Sequence, residues 1–202
     1  MTDIAIKNDA NGAAILPLLG PRSIVLIGMM GVGKSSIGRR LGARLGIPFV
    51  DADAEIEKAA GMSIADIFSR HGEADFRSGE ARVIARLLEG GPQVLATGGG
   101  AVMNADTRAA IKTKGVSIWL NAELEVLMRR ISKRKHERPM LLTADPAATL
   151  RDLLASRAPV YAQSDLTVQS REVPHDAIVS EIVTLLAAFL KSSESQPART
   201  QT

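Results

Sequence analysis

The stretch "SIVLIGMMGVGKSSIGRRLGARLG", residues 23–46, decides the fold of this chain. Its first part, "SIVLIG" at 23–28, is an apolar run that predicts a buried strand. Its last part, "KSSIGRRLGARLG" at 34–46, has the apolar spacing of a helix and closes on Gly46. Between them "GMMGVGKS", residues 28–35, fits G-x-x-x-x-G-K-[ST] in the strand–helix setting that this pattern requires. The stretch therefore predicts a phosphate-binding loop within an α/β fold.

The spacing of this loop predicts which of its residues contact phosphate and which contact Mg²⁺. Its glycines, beginning with Gly28, let the backbone turn tightly and aim N–H groups inward, and the following helix adds its positive dipole end. Lys34 is expected to reach the β- and γ-phosphates, and Ser35 to ligate Mg²⁺. A glycine-rich turn without a ligand is the alternative, which the Lys-Ser pair disfavours. GTPase switches, ATPase motors and small-molecule kinases all remain open. The predicted nucleotide-binding residues of the loop are Gly31, Gly33, Lys34, Ser35 and Ser36.

Composition is that of an ordinary globular protein. The 202 residues suffice for one domain with a sizeable core, and 46% are hydrophobic whereas only 3% are aromatic. The net charge of +3 and the scarcity of stacking aromatics argue against a nucleic-acid partner. The absence of cysteine excludes disulfides, thiolate metal sites and cysteine nucleophiles. No run reaches the ~18 apolar residues of a membrane span, and we expect a cytoplasmic protein without a membrane partner.

Short apolar runs alternate with amphipathic stretches along the chain. Further strands are predicted at 48–51, 93–97, 116–120 and 166–170, and further helices at 63–68, 73–89, 104–114, 122–132 and 174–190. This order predicts a three-layer α/β/α fold around a five-stranded parallel sheet, with ligands beyond the carboxyl ends of the strands. We expect a flexible extension at 1–20, a single domain at 21–190 and a disordered tail at 191–202.

Two aspartates, Asp51 and Asp53, follow the second predicted strand, on the rim where the phosphate loop lies. On an extended chain, side chains two apart point the same way, so both carboxylates are expected to face the site. One is suited to the Mg²⁺ shell, and the other to taking the proton of an attacking hydroxyl. The alternative is structural, with Asp53 as the N-cap of a helix. The third strand ends without an acidic residue, which leaves the metal-side role to Asp51.

Three arginines complete the set of candidate site residues. Arg77 lies in a predicted helix three residues before Glu80, which is placed to fix its guanidinium, although solvated pairs of this spacing are common. Arg138 precedes a proline in a basic segment at about 132–146, which is typical of a lid but also of a plain solvated loop. Arg157 lies near the end of the next helix. The glycines of "TGGGAV", residues 97–102, allow a ligand to approach the backbone or simply form a tight turn.

These motifs, taken in series, resemble the shikimate kinase family. The resemblance runs from about residue 23 to 190 and rests on the phosphate loop and on "DADAEIE", "GMSIADIF", "GEADFRSGE", "LATGGGAV", "ERPML" and "LLASRAPVY". It implies a P-loop kinase, usually monomeric, with a substrate-binding segment at about 52–80. It also implies ATP- and Mg²⁺-dependent phosphorylation of the 3-hydroxyl of shikimate, on the route to chorismate and the aromatic amino acids.

The resemblance also implies roles for individual residues. Asp53 contacts shikimate and acts as the base, Arg77 and Arg157 hold the carboxylate of shikimate, and Gly99 contributes backbone. The implied catalytic residues are Asp53, Lys34 and the lid residue Arg138. The implied magnesium-binding residues are Ser35 and Asp51. Glu80 steadies Arg77. Arg138 touches phosphate and substrate, and Arg130 flanks adenine with Pro174 on the other side. The adenine loop "QSREVPHD" and the very basic lid depart from the family pattern.

Three rival functions fit the phosphate loop alone. A gluconate-type kinase prefers a Gly-Asp-x-x-His run after the second strand, where this chain reads "DADAEIEKA". Some nucleotide-binding modules without catalysis are fused to DNA-binding parts, and we expect no such part in this sequence. An adenylate kinase would need a second nucleotide pocket.

Overall fold

The computed structural model describes residues 10–132 and 145–194. Five parallel strands form one sheet in the order β2-β3-β1-β4-β5: β1 (Ser23–Ile27), β2 (Phe49–Asp51), β3 (Val94–Ala96), β4 (Gly115–Asn121) and β5 (Leu166–Gln169). The helices are α1 (Ala10–Leu19), α2 (Lys34–Leu45), α3 (Ala52–Ala60), α4 (Ile64–Leu88), α5 (Ala105–Lys114), α6 (Leu124–Ser132), α7 (Pro146–Tyr161) and α8 (His175–Glu194), with a 3₁₀ turn at Ala101–Met103. The predicted fold class and all five strands are confirmed.

The central strand β1 shows why this sequence forms a sheet covered on both faces. All five of its residues are buried, and so are all three residues of β3 beside it. A strand with one solvated face would alternate apolar and polar residues, whereas "IVLI" does not. Each such aliphatic side chain removed from water stabilises the fold by ~1.5–3 kcal/mol before chain entropy is counted.

Strand register brings the functional loops to one edge. Leu26 pairs with Ala96, and Ala96 pairs with Asp51 on the other side of β3. Ile27 of β1 lies beside Trp119 of β4. Because the strands are parallel, the phosphate loop after β1 and the glycine segment after β3 begin at the same level as Asp51. This edge is where an open parallel sheet binds ligands.

The expectation of a flexible extension over residues 1–20 is wrong for residues 10–19. These residues form α1, which packs against α8 and α2 and buries Ile15 and Leu19 completely. Pro17 inside the helix is unfavourable, but the burial of this apolar side outweighs it. At the other end α8 continues to Glu194, four residues beyond the predicted end of the domain.

Helix α4 is bent at a single glycine. Gly72 has φ 80° and ψ 175°, which interrupts helical geometry and separates two predicted helices that the structure joins end to end. The predicted cap at Ser63 is confirmed, because its Oγ accepts a hydrogen bond from the Asp66 N–H at 3.1 Å. Within the described ranges, no helix is long and apolar enough to cross a bilayer.

Candidate active site

The phosphate loop has the geometry that its glycines predict. Gly28, Gly31 and Gly33 have φ of 138°, 79° and 105°, which side-chain-bearing residues rarely adopt. Gly33 precedes α2 and provides no side-chain cap, so the first N–H groups of that helix face the loop. Lys34 Nζ donates to the carbonyl oxygens of Gly28 at 2.7 Å and Met29 at 3.1 Å. The positive end of α2 and one ammonium group therefore meet where an anion would lie.

A pair of oxygen ligands lies beside this loop. Ser35 Oγ donates to Asp51 Oδ2 at 2.7 Å, which links the start of α2 to the end of β2. A hydroxyl and a carboxylate are the ligands that Mg²⁺ prefers, and Mg²⁺ usually retains several waters beside one or two protein groups. The residues present therefore fit a magnesium ion bound together with phosphate. No cluster of three or more metal-binding side chains exists among the described residues, so the protein offers a partial shell.

The two aspartates diverge because a helix begins between them. Asp51 is the last residue of β2, and its side chain caps α3 by accepting from the Asp53 N–H at 3.2 Å. Asp53 lies in the first turn of α3. The expectation that both carboxylates lie on extended chain is therefore wrong, as is the alternative that Asp53 is the cap. Asp51 faces Ser35, whereas Asp53 faces the glycine segment after β3.

That glycine segment, Gly98–Gly100, is the meeting point of four charged side chains. A methyl group on Gly98 would lie 2.8 Å from Glu80 Oε1 and 2.9 Å from Asp53 Oδ1. One on Gly99 would lie 3.3 Å from a guanidinium nitrogen of Arg157, and one on Gly100 would lie 2.7 Å from a guanidinium nitrogen of Arg77. Side chains here would clash with the charged groups. These glycines are therefore required for close approach, not merely for a turn.

Arg77 is held by two glutamates on its own helix. Its guanidinium bonds Glu80 Oε2 at 2.7 Å and Glu73 Oε1 at 3.3 Å, and Glu80 is only 1% exposed. Burial is the main cause that raises the pKa of Glu80, and the bond to Arg77 opposes this shift. Among the described residues Glu80 Oε1 has no hydrogen-bond partner. The predicted pairing of Arg77 with Glu80 is present, and it is more buried than a surface pair.

Arg157 and Tyr161 lie one turn apart on α7, below the glycine segment. Arg157 is 6% exposed, an unusual burial for arginine, and its guanidinium lies 4.0 Å from Met29 Sδ. Tyr161 is fully buried and donates its hydroxyl to the carbonyl oxygen of Gly99. Burial raises the pKa of this hydroxyl, so it stays protonated at neutral pH. Tyr161 ends the motif "LLASRAPVY", in which a role was predicted for Arg157 alone.

Two adjoining cavities share Asp53, Met30, Gly98 and Gly99. The first, about 100 Å³, includes Gly31, Gly33, Lys34, Ser35, Asp51 and Thr97. The second, about 170 Å³, includes Arg77, Glu80, Gly100 and Arg157, with an apolar wall of Ile64, Phe68 and Phe76. The sequence does not indicate this apolar wall, because apolar residues on helices look like core, nor does it indicate a role for Met30, an apolar residue of the phosphate loop itself. A larger cavity of about 360 Å³ beside α5 lacks the phosphate loop and is not part of this site.

Arg130 lies at the opposite end of the phosphate loop. Its guanidinium donates to the carbonyl oxygens of Val32 at 3.0 Å and Arg171 at 2.8 Å, and to Ser170 Oγ at 2.9 Å. It thereby ties the phosphate loop to the segment before Pro174, which is exposed at the start of α8. Ser36 follows Ser35 on α2. The predicted lid residue Arg138 and most of the predicted lid lie outside the described residues.

Known proteins match this arrangement over most of the chain. A family model described as shikimate kinase matches residues 30–187. A shikimate kinase of Bradyrhizobium diazoefficiens is 62% identical over 191 residues, 94% of this chain and 92% of that protein. One of Rhodopseudomonas palustris is 56% identical over 185 residues, 92% of this chain and 91% of that protein. The structure of a shikimate kinase from Acinetobacter baumannii in complex with shikimate has a TM-score of 0.79 at 36% identity, covering 83% of this chain and 93% of that one.

Proposed function

This chain belongs to the shikimate kinase family, and from that premise we propose that it transfers the γ-phosphoryl group of ATP to the 3-hydroxyl of shikimate, yielding shikimate 3-phosphate and ADP. The observation that supports this most directly is the pair of cavities that meet at Asp53. One has the groups for a triphosphate, and the other has two arginines and carboxylates for a small hydroxylated acid. The product serves the route to chorismate and the aromatic amino acids.

On the nucleotide side, the protein supplies position and charge. The backbone of Gly31–Gly33 and the start of α2 cradle the phosphates, and Lys34 leaves its carbonyl partners to neutralise charge on the γ-phosphoryl group. Ser35 and Asp51 would hold a magnesium ion. When bound, that ion neutralises phosphate charge as the transition state forms. We propose that Arg130 flanks adenine, because its hydrogen bonds fix the plane of its guanidinium between Val32 and Arg171.

On the acceptor side, the arginines orient the ring. Arg77 and Arg157 approach the glycine segment from α4 and α7, and arginine forks match a carboxylate bidentately. Anchoring the carboxylate at this end directs the ring hydroxyls toward Asp53, which also borders the phosphate cavity. Glu80 keeps Arg77 in place through its Oε2 atom.

In the chemical step the 3-hydroxyl oxygen attacks the γ-phosphorus, and the bond from that phosphorus to the bridging oxygen breaks. The electron pair of that bond leaves with ADP, and Asp53 takes the hydroxyl proton. Arg138 remains a predicted lid residue that adds positive charge on closure. We expect the enzyme to work as a cytoplasmic monomer, and size-exclusion chromatography with light scattering would test the oligomeric state.

A coupled assay of ADP release tests the proposed function. The wild-type protein is offered ATP and Mg²⁺ with shikimate, with gluconate and with no acceptor. We expect release above background with shikimate alone, because gluconate lacks the rigid ring that reaches from the two arginines to Asp53. Lys34→Met should abolish this activity, and Lys112→Met, an exposed lysine on α5, is the matched control that should keep it. Equal or greater turnover of gluconate, or none of shikimate, would overturn the proposal.

A further inference from the structure

We infer that Tyr161 is a positioning residue for the acceptor carboxylate, acting through the peptide group between Gly99 and Gly100. The inference rests on the proposed function and deepens it. Tyr161 does not need to touch the substrate for this role. It lies completely buried under the glycine segment, while Arg157, one turn before it on α7, borders the acceptor cavity.

Tyr161 fixes the orientation of the Gly99 carbonyl group. The Tyr161 hydroxyl donates to this oxygen from the buried side of the segment. The same hydroxyl lies 3.6 Å from Met29 Sδ, and the ring packs at 5.9 Å from Trp119 of β4. A ring fixed by the phosphate loop, the sheet and its own helix has little freedom to turn, so the carbonyl is fixed with it.

The orientation of the Gly99 carbonyl also sets the direction of the Gly100 N–H. In a trans peptide the C=O of one residue and the N–H of the next point in opposite directions. Because the Gly99 C=O points to Tyr161, the Gly100 N–H points away from Tyr161, and Gly100 itself lines the acceptor cavity. A methyl group on Gly100 would lie within 2.8 Å of both terminal nitrogens and of Cζ of Arg77, so this residue lies directly against the guanidinium that is predicted to hold the carboxylate.

The carbonyl groups of the glycine segment all accept hydrogen bonds. The Gly98 carbonyl accepts from the Ala101 N–H at 3.2 Å, and the Gly100 carbonyl accepts from the Met103 N–H at 3.0 Å. With the Gly99 carbonyl taken by Tyr161, every carbonyl of the segment is engaged. Within the described ranges no protein acceptor takes the Gly100 N–H. A donor left over beside two arginines suits a carboxylate oxygen.

Tyr161→Phe tests this role because it removes the hydroxyl alone. We expect the KM for shikimate to rise roughly 3- to 10-fold, the loss typical of one neutral hydrogen bond, while the KM for ATP stays within about 2-fold. The second readout compares shikimate with its methyl ester. An N–H bond to a carboxylate is about twice as strong as one to a neutral acceptor, so the preference for the acid should fall roughly 3-fold in the variant.

A purely structural role for the hydroxyl would change these readouts differently. Loss of packing or stability would lower kcat/KM for acid and ester alike and leave their ratio unchanged, and that result would overturn the inference. Thr113→Val is the matched control, since it removes an exposed hydroxyl on α5 that donates to the carbonyl oxygen of Ala109 at 2.9 Å; its acid-to-ester ratio should equal that of the wild type. If the wild type fails to phosphorylate shikimate, the proposed function fails instead.

A measurement on the unmodified protein keeps the test independent of how Tyr161→Phe folds. The Gly100 amide resonance of ¹⁵N-labelled wild-type protein is followed during titration with shikimate and with the methyl ester. Shikimate should shift its proton downfield, and the ester should shift it much less. An unmoved Gly100 signal at saturating shikimate would refute the inference.

Discussion

Gly100→Ala perturbs the acceptor cavity without altering any charged residue. Gly100 has φ −98° and ψ −10°, which alanine adopts without strain, so the backbone itself tolerates the change. The new methyl group would lie 2.7 Å from one guanidinium nitrogen of Arg77 and 2.8 Å from its Cζ and the other terminal nitrogen. The substitution therefore acts on Arg77 through space.

The geometry sets the size of the effect. Carbon atoms and their neighbours pack at about 3.5–4.0 Å, so the guanidinium must retreat by roughly 1 Å. Arg77 is not free to do so cheaply, because its 2.7 Å bond to the buried Glu80 would lengthen. Weakening one charge-assisted hydrogen bond to the substrate carboxylate costs ~1.5–3 kcal/mol, which corresponds to a rise in the KM for shikimate of about 10- to 100-fold.

Steady-state kinetics with shikimate and ATP varied in turn would measure this effect. We expect the KM for ATP to stay within about 2-fold, because the phosphate loop is untouched. Gly79→Ala on α4 is the matched control: a methyl group there meets nothing within 4 Å, and alanine favours helix over glycine by ~0.5–1 kcal/mol. It should raise Tm and leave both KM values unchanged. An unchanged KM for shikimate in Gly100→Ala, or an equal rise for ATP, would refute the placement of Arg77.

Two further substitutions probe neighbouring parts of the site. Because burial raises the pKa of Glu80, the native state binds its proton more tightly than the unfolded chain does; this contribution to stability is complete below pH ~4.5 and is lost as pH rises through the raised pKa. Glu80→Gln should remove that loss. Urea unfolding from pH 4 to 8 would test this, and equal slopes of the free energy of unfolding against pH in wild type and variant would contradict it. Arg130→Ala should raise the KM for ATP about 10-fold or more, since three hydrogen bonds holding the nucleotide end are lost, with the KM for shikimate unchanged; a change confined to shikimate would disprove its placement.

Much of the fold was predictable because local and tertiary signals agree. The apolar run of β1, the glycine spacing of the phosphate loop and the cap at Ser63 all favour the structure observed. Helix α1 was not predictable for the opposite reason. Its Asn-Gly and Pro17 signals favour a loop, and only burial against α8, a contact distant in sequence, makes the helix form.

In the candidate site, too, features with a local sequence signal were predictable and features set by tertiary contacts were not. The role of Lys34 was predicted from the spacing of the phosphate loop, whereas that of Arg77 was predicted from the family resemblance. The start of α3 between the two aspartates was not, and it changes which way Asp53 faces. The contact of Tyr161 could not be predicted, because a hydroxyl that bonds a backbone carbonyl leaves no pattern in sequence. Contacts between backbone and buried side chains are set by tertiary packing, beyond the reach of spacing rules.

In the proposed mechanism Asp51 and Asp53, two residues apart, serve opposite sides of the reaction. The most direct test of this division is the Mg²⁺ dependence of shikimate turnover in Asp51→Asn and Asp53→Asn. Asp51→Asn should raise the half-saturating Mg²⁺ concentration by about 10- to 100-fold. Asp53→Asn should leave it within about 2-fold while lowering kcat on the order of 10²-fold or more. If both variants shifted the Mg²⁺ requirement alike, or Asp53→Asn kept its kcat, the division between the two carboxylates would be wrong.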